Sequence, residues 1–567
     1  MNLAPTEQGT VINSGASPIR KVDDHLLLHI LTFNANMEDD PPKKDTDIIY
    51  YPEIRALTNI RDASHVCHLW RQTILSSTVL WGRLMDLDLL ILLKEEWRQE
   101  VIRRTGEAPL HVRGYQSSEG DTAFAAFVHF LVYILEVHWS RIETLIVSIY
   151  PLSTYLPDAE VWYPMKDFWS LLSRPSDTLK TFRFGCAYDE HSPPGPLALF
   201  SAHIPQLMDF RLTEYFRAGG YISAPWLSQL RHLDISAGYR ADPPLTLSMW
   251  LEKLRDMPHL QSLTENSIFA TPEESIPPRL PVIQLPNLID LRVTHGLYPA
   301  TLLLNHIEPH PECRLIMYTP ELNAPTPSTS QRSLINHILA KYAERLLCGA
   351  NRTNMILHFY PDEYFRLAQL ERDIIELSTP GDVPEVFVFE WRAHMMSPGV
   401  PGPNAYIAAF SQCDYSHIMV LSVEIGFLDK THQELHHQIQ SFLHSMPNVQ
   451  FLGAKMSVIE QFMILPPEAG VPPVFPKLQK LFILDVVYLT GSSVAPDHGP
   501  GYLEVCLRQR EADGCPVQVL DLTACDSLPD MSYLEAMKGM SVIWIDSWGN
   551  RKEAICGLGV LAEEQWQ

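Results

Sequence analysis

One hydrophobic pattern recurs along most of the chain: an apolar residue, two variable positions, a second apolar residue, then a short alternating run. It reads Ile142-x-x-Leu145, Leu179-x-x-Phe182, Leu207-x-x-Phe210, Leu230-x-x-Leu233, Leu260-x-x-Leu263 and Leu288-x-x-Leu291. It returns as Ile418-x-x-Leu421, Val449-x-x-Leu452, Leu478-x-x-Leu481 and Val517-x-x-Leu520. Alternation predicts a short strand at each copy, one set of side chains in a shared core and the other facing outward. Helices are predicted between copies. Leu247, Trp250, Leu251 and Leu254 fall on one helical face and Pro258 stops them; Leu435, Ile439, Phe442, Leu443 and Met446 do the same ahead of Pro447. Helix, Pro turn and strand, repeated in that order, predict right-handed β/α coils stacked on a parallel sheet.

Other stretches depart from this pattern. Between Glu308 and Phe410, strands are predicted at Cys313–Tyr318, Asn354–Phe359 and Pro384–Trp391 and a helix at Gln331–Leu347, read as degenerate copies; Asn323–Ser330 and Ser397–Asn404 read as loops. Ser532–Gln567 closes the array, with VIWIDSW as a strand. Nearer the front, a helix is predicted from Leu89 to Arg104, ending at Thr105-Gly106, then a strand at Pro109–Val112 and a second helix at Asp121–Trp139. Before them, Ala63–Trp81 carries Val66, Leu69, Trp70, Thr73 and Ile74 at helical spacing. Its hydroxyls at Ser76, Ser77 and Thr78 end that helix and cap a short turn presenting Leu80 and Trp81.

Val66-Cys67-x-x-Trp70-Arg71 followed by Ser76-Ser77-x-x-Leu80-Trp81 resembles the second half of an F-box, as found in large fungal families of F-box-like proteins. Val22–Leu31, with Leu26, Leu27, Ile30 and Leu31 as its apolar face, is similar to the opening helix, although the family's usual Leu-Pro-x-Glu is replaced by Val22-Asp23-Asp24-His25. Between the halves lies a polar, acidic, Pro-interrupted insert at about 34–51. The expected organisation is a disordered tail at 1–20, an F-box-like helical domain at 21–88, a helical linker or cap at 89–138, and an irregular leucine-rich-repeat-like β/α solenoid at 139–567. The resemblance implies docking on a Skp-type adaptor of a cullin-RING ubiquitin ligase through Leu26, Leu27, Ile30, Val66, Trp70, Leu80 and Trp81. An unknown protein substrate would then be held on the repeat body, at outward strand positions such as Arg211, Asp234, Arg292 and Asp485. The alternative is a repeat scaffold that binds protein without ligase association.

Composition narrows the function further. Apolar residues make up 46% and charged residues 19% of 567, the balance of a chain with a large core. A formal net charge of −24 repels phosphate backbones and anionic membrane surfaces, so neither nucleic acid nor membrane is an expected partner. The most apolar stretch, Phe124–Val137, is too short and too interrupted to span a bilayer. Nine cysteines without paired CxxC motifs, and no basic-apolar leader, fit reduced thiols and a cytoplasmic or nuclear setting. No catalytic or cofactor motif emerges: His432-Gln-Glu434-Leu-His436 lacks the His-Glu-x-x-His order of zinc helices, and Gly-rich phosphate loops and nucleophile elbows are missing. The expectation is a protein without enzymatic chemistry, cofactor or metal.

Overall fold

Where apolar residues alternate, the chain extends and pairs in parallel; where they recur every three or four positions, it coils back as a helix. The computed structural model describes residues 23–37, 55–117, 121–150, 170–186, 199–216, 224–237, 245–270, 280–321, 328–347, 353–360, 364–370, 385–393, 407, 409–426, 428, 432–464, 472–484, 501–525, 531–546 and 548–563. The fold is mixed α/β with mostly parallel strands. It divides into two compact units, residues 1–232 with 237–243, and residues 233–236 with 244–567.

In the first unit, helices α1 (Asp24–Asn34), α2 (Ala56–Ala63), α3 (His68–Ser76) and α4 (Thr78–Gly82) precede β1 (Met85–Asp86), α5 (Leu87–Leu90) and α6 (Glu95–Thr105). Strand β2 (Leu110–Ser117), helix α7 (Asp121–His138) and strands β3 (Ile142–Tyr150), β4 (Thr181–Cys186) and β5 (Asp209–Phe216) follow. The strands pair in parallel in the order β1-β2-β3-β4-β5. Register aligns Val112, Leu145, Phe182 and Phe210 as one rung, each buried, with the Phe182 and Phe210 rings stacked at 5.5 Å.

Two sequence expectations need correction here. The helix expected to carry Val66 starts later: α2 stops at Ala63, the Ser64 hydroxyl donates to the Arg61 carbonyl at 2.5 Å, and Cys67 is extended before α3 begins. Val66 therefore sits in a turn, exposed, and leaves the predicted stripe. The helix expected over Leu89–Arg104 is likewise split, because the Asp86 carboxylate caps α5 by accepting from the Leu89 N–H at 3.3 Å and Lys94 is extended ahead of α6. Its predicted end is correct: Gly106 takes φ of 50°, a conformation glycine adopts without strain.

At the passage between units lies β6 (His232–Ala237). The second unit holds α8 (Leu247–Arg255), β7 (Ser262–Asn266), β8 (Ile283–Leu285), β9 (Asp290–Thr294), α9 (Leu297–Asn305), β10 (Ile307–Pro309) and β11 (Arg314–Glu321). Next come α10 (Thr329–Leu347), β12 (Asn354–Tyr360), β13 (Tyr364–Leu370), β14 (Glu385–Ala393), β15 (Val420–Ile425), α11 (Gln433–His444) and β16 (Phe451–Ala454). The unit ends with β17 (Lys480–Ile483), α12 (Tyr502–Ala512), β18 (Val519–Asp521), β19 (Ser541–Ile545), β20 (Arg551–Ile555) and a short helix, α13 (Val560–Glu563). Pairing runs β7-β9-β11-β14-β13-β12-β15-β16-β17-β18-β19-β20, with β8 and β10 as a separate parallel pair. Only β13 and β20 run antiparallel to their neighbours among these strands.

Both apolar positions of each recurring motif are buried, from Ile142 and Leu145 to Val517 and Leu520. The residue after the first apolar position donates its backbone N–H to the matching carbonyl of an adjoining coil: Lys180 to Glu143, Met208 to Lys180, Gln450 to Met419, Gln479 to Gln450 and Gln518 to Gln479. Stacked coils thus satisfy backbone groups that the short strands leave open. The region 308–410 differs from the expected degenerate copies, since β13 runs antiparallel between β12 and β14. The connection from Tyr360 to Tyr364 is too short for a parallel crossover, so it forces the reversal. The predicted loops at 323–330 and 397–404 lie largely or wholly outside the described residues, as does the insert expected at about 34–51 beyond residue 37, while its first residue, Asn34, belongs to α1.

Candidate functional site

The four small helices of the first unit are held by a short list of contacts. Leu27 and Leu31 on α1, Ile60 on α2, Ile74 on α3 and Leu80 and Trp81 on α4 are buried. The Trp81 indole donates to the Ile74 carbonyl at 2.9 Å, lies edge-on to Trp97 and carries the Arg104 guanidinium 5.3 Å above its ring. Ser77 caps α4 as expected, its hydroxyl accepting from the Leu80 N–H at 3.4 Å. Buried Arg55, just ahead of α2, pairs with Asp86 at 3.2 Å and Asp88 at 3.7 Å, while Asp88 accepts from the Tyr115 N–H at 2.9 Å. The helices are thereby tied to the first sheet strands.

The seven residues assigned to docking divide into two groups. Leu27, Leu80 and Trp81 are core residues, so they shape a docking surface from beneath and cannot touch a partner. Leu26 and Ile30 are 52% and 40% exposed, Val66 is 55% exposed, and Trp70 is half-buried. Two exposed residues were not anticipated: Phe33, 70% exposed, which extends Leu26 and Ile30 into a stripe at i, i+4 and i+7, and Val79 on α4. Asn34, the last residue of α1, could have revealed Phe33 as a helical position, but the polar insert was placed from that residue onward.

Of the residues assigned to substrate, Arg211 and Arg292 are exposed and Asp234 is half-buried; Asp485 lies outside the described residues. Arg292 is paired with Asp290 at 3.4 Å on its own strand. Sequence alternation placed these outward and did not bring them together.

A polar row it did not anticipate crosses the second unit on the face opposite the main core. Register places Tyr318 of β11 beside Glu390 of β14, Glu390 beside Arg366 of β13, Arg366 beside His358 of β12, and His358 beside Glu424 of β15. Lys455, following β16, completes it by pairing with Glu424, and the Tyr360 hydroxyl donates to the same carboxylate while accepting from Lys455 Nζ at 3.0 Å. His358 Nε2 stands 3.8 Å from Glu424 and Arg366 4.0 Å from Glu390. Burial works against the Glu424 charge, but the bonds from Lys455 and Tyr360 outweigh it and hold the carboxyl below its ordinary value. Burial lowers the His358 value despite Glu424, and raises that of Tyr360. Next to the row on the same face, Ile316, Ala368 and Val388 form a small buried apolar cluster with Tyr318 and Ile356 packed on it.

These charges are spent on one another, which suits recognition better than proton transfer. His436 is likewise occupied, bonded to the Gln461 carbonyl at 2.9 Å and stacked on Phe462. Among the described residues, no group of three or more His, Cys, Asp or Glu is placed to hold a metal, and no helix is long and apolar enough to cross a membrane. Compared by sequence, the chain matches no family model and no curated protein.

Proposed function

We propose that the chain is a substrate-recognition adaptor of a cullin-RING ubiquitin ligase, working in the cytoplasm or nucleus and performing no bond-making step itself. The helical unit docks on a Skp-type adaptor, and the parallel coils, read as an irregular leucine-rich-repeat-like solenoid, hold a protein for modification. Its contribution is proximity, which raises the effective concentration of acceptor beside an enzyme carried by another subunit. The observation that carries the reading is the exposed stripe of Leu26, Ile30 and Phe33 over a well-packed helical core. A monomer gains nothing from three large apolar side chains on one exposed helix face, and such a face is suited to a protein partner.

The test is co-purification of the full chain with a Skp-type adaptor, wild type against Ile30→Glu and Leu26→Glu. Wild type is expected to retain the adaptor and each variant to lose at least about tenfold in affinity, since burying an unpaired carboxylate opposes docking strongly. Both sites are exposed, so thermal melts should coincide. A folded wild-type chain that ignores the adaptor would leave the reading as a repeat scaffold without ligase association.

A further inference from the structure

The second unit leaves a sheet edge open at β20. This strand runs antiparallel to β19 and, among the described residues, pairs with no other strand. In an antiparallel pair each residue turns its N–H and C=O to one side, and the side alternates along the strand. The Cys556 N–H donates to the Met540 carbonyl at 2.9 Å and the Asn550 carbonyl accepts from the Asp546 N–H at 2.9 Å, so the even-numbered positions from 550 to 556 face β19. Arg551, Glu553 and Ile555 therefore direct their backbone donors and acceptors away from the sheet. Their side chains share the face that register assigns to Ser541 and Ile543, and all three are exposed. The Ser541 hydroxyl donates to Glu553 at 2.7 Å, Lys552 on the other face lies 3.7 Å from Asp546, and Arg551 has no ion-pair partner among the described residues. Apolar groups stand exposed at both ends of the strand. Trp548, in the turn before it, is 86% exposed, and Ile555 and Leu558, at its end, are 50% and 71% exposed.

We infer that this edge pairs with the same edge of a second copy of the chain, antiparallel about a twofold axis. Charged side chains guard an open edge against indiscriminate strand pairing, so a partner must answer them in register. The free backbone groups can bond only where odd-numbered residues stand opposite one another. An axis through Lys552 places Arg551 opposite Glu553 of the second copy and Glu553 opposite its Arg551, two ion pairs from one operation. An axis through Glu553 would oppose two carboxylates, and one through Arg551 two guanidinium groups. On the chosen axis Lys552 meets its own copy, but each ammonium has an Asp546 carboxylate beside it. The same operation brings the Trp548 turn of one copy to the end of the other that carries Ile555 and Leu558, so the exposed apolar groups cover each other. The inference is independent of the ligase reading, which rests on α1.

The experiment is sedimentation equilibrium of the full chain from about 1 to 100 μM, the range in which an interface of this small size should associate. Wild type is expected to pass from monomer to dimer across it. Arg551→Glu and Glu553→Arg should each raise the dissociation constant at least about tenfold by opposing like charges, and the double variant Arg551→Glu/Glu553→Arg should return to within about threefold of wild type. Trp548→Ala should weaken the dimer as well, and at so exposed a position it keeps the test decisive if a charge variant fails to fold. A wild-type chain that stays monomeric at the highest concentration would overturn the inference. So would single charge variants that dimerise as wild type does, which would place the contact elsewhere, or a double variant as weak as the single ones.

Discussion

Glu265 is the residue most at odds with its surroundings. It lies on the core side of β7, fully buried; one carboxyl oxygen accepts from the Ile268 N–H at 2.8 Å and the other meets no hydrogen-bond partner among the described residues. Burial pushes its pKa up to about 8, only partly opposed by the Ile268 bond. The folded state therefore holds a proton that the unfolded chain releases near the ordinary glutamate value of 4.5, and stability contributed by this group falls as pH rises from 4.5 to about 8. Glu265→Gln preserves the Ile268 bond and removes the titration. Denaturation curves should show the variant close to wild type at pH 5 and more stable by about 2 kcal/mol or more at pH 8. A gap that stays constant with pH would contradict the assignment. Nothing in the sequence marks Glu265, because alternation alone would have filled its inward position with an apolar residue; it is the kind of single-site departure that patterns average away.

At the scale of elements, the polar row across β14, β13, β12 and β15 joins strands of opposite direction by side chains as well as backbone. Glu424 is its centre, bonded to Tyr360 and Lys455 and close to His358. Glu424→Gln should lower stability by about 1–2 kcal/mol at pH 7, because Lys455 loses its charge partner in a half-buried place. Since the folded-state value of Glu424 is depressed, the difference from wild type should be fully present above the ordinary glutamate range, shrink below it, and be lost as pH falls through the depressed value. Chemical denaturation at pH 7 and at pH 3.5 checks both; equal losses at the two would contradict the geometry. Elements were legible in unequal measure. The ten motif copies each gave a strand start, and α7, α8, α10 and α11 were found within a few residues, because their apolar periods run over several turns. The short helices α2 and α5, the antiparallel β13 and the closing strand β20 were missed, each being brief or set by its connection more than by its own pattern.

Across the whole molecule, the sequence disclosed the mixed α/β class and the largely parallel pairing, since both follow from a pattern repeated many times. The candidate docking site was only half legible. The motif picked out Leu27, Leu80 and Trp81 as readily as Leu26 and Ile30, and burial separates what supports the surface from what lies on it. The polar row was not legible, because strand register decides which distant side chains become neighbours. What unites these features is a division of labour: a small helical unit with an exposed apolar stripe, and parallel coils whose outward faces carry polar and basic groups.

The most direct test of that division is hydrogen–deuterium exchange of the full chain with and without a Skp-type adaptor. The account predicts added protection confined to residues 24–36 and 64–82, with the amides of β15 to β19 unchanged. No protection on adding the adaptor, or protection centred on the parallel strands instead, would contradict it.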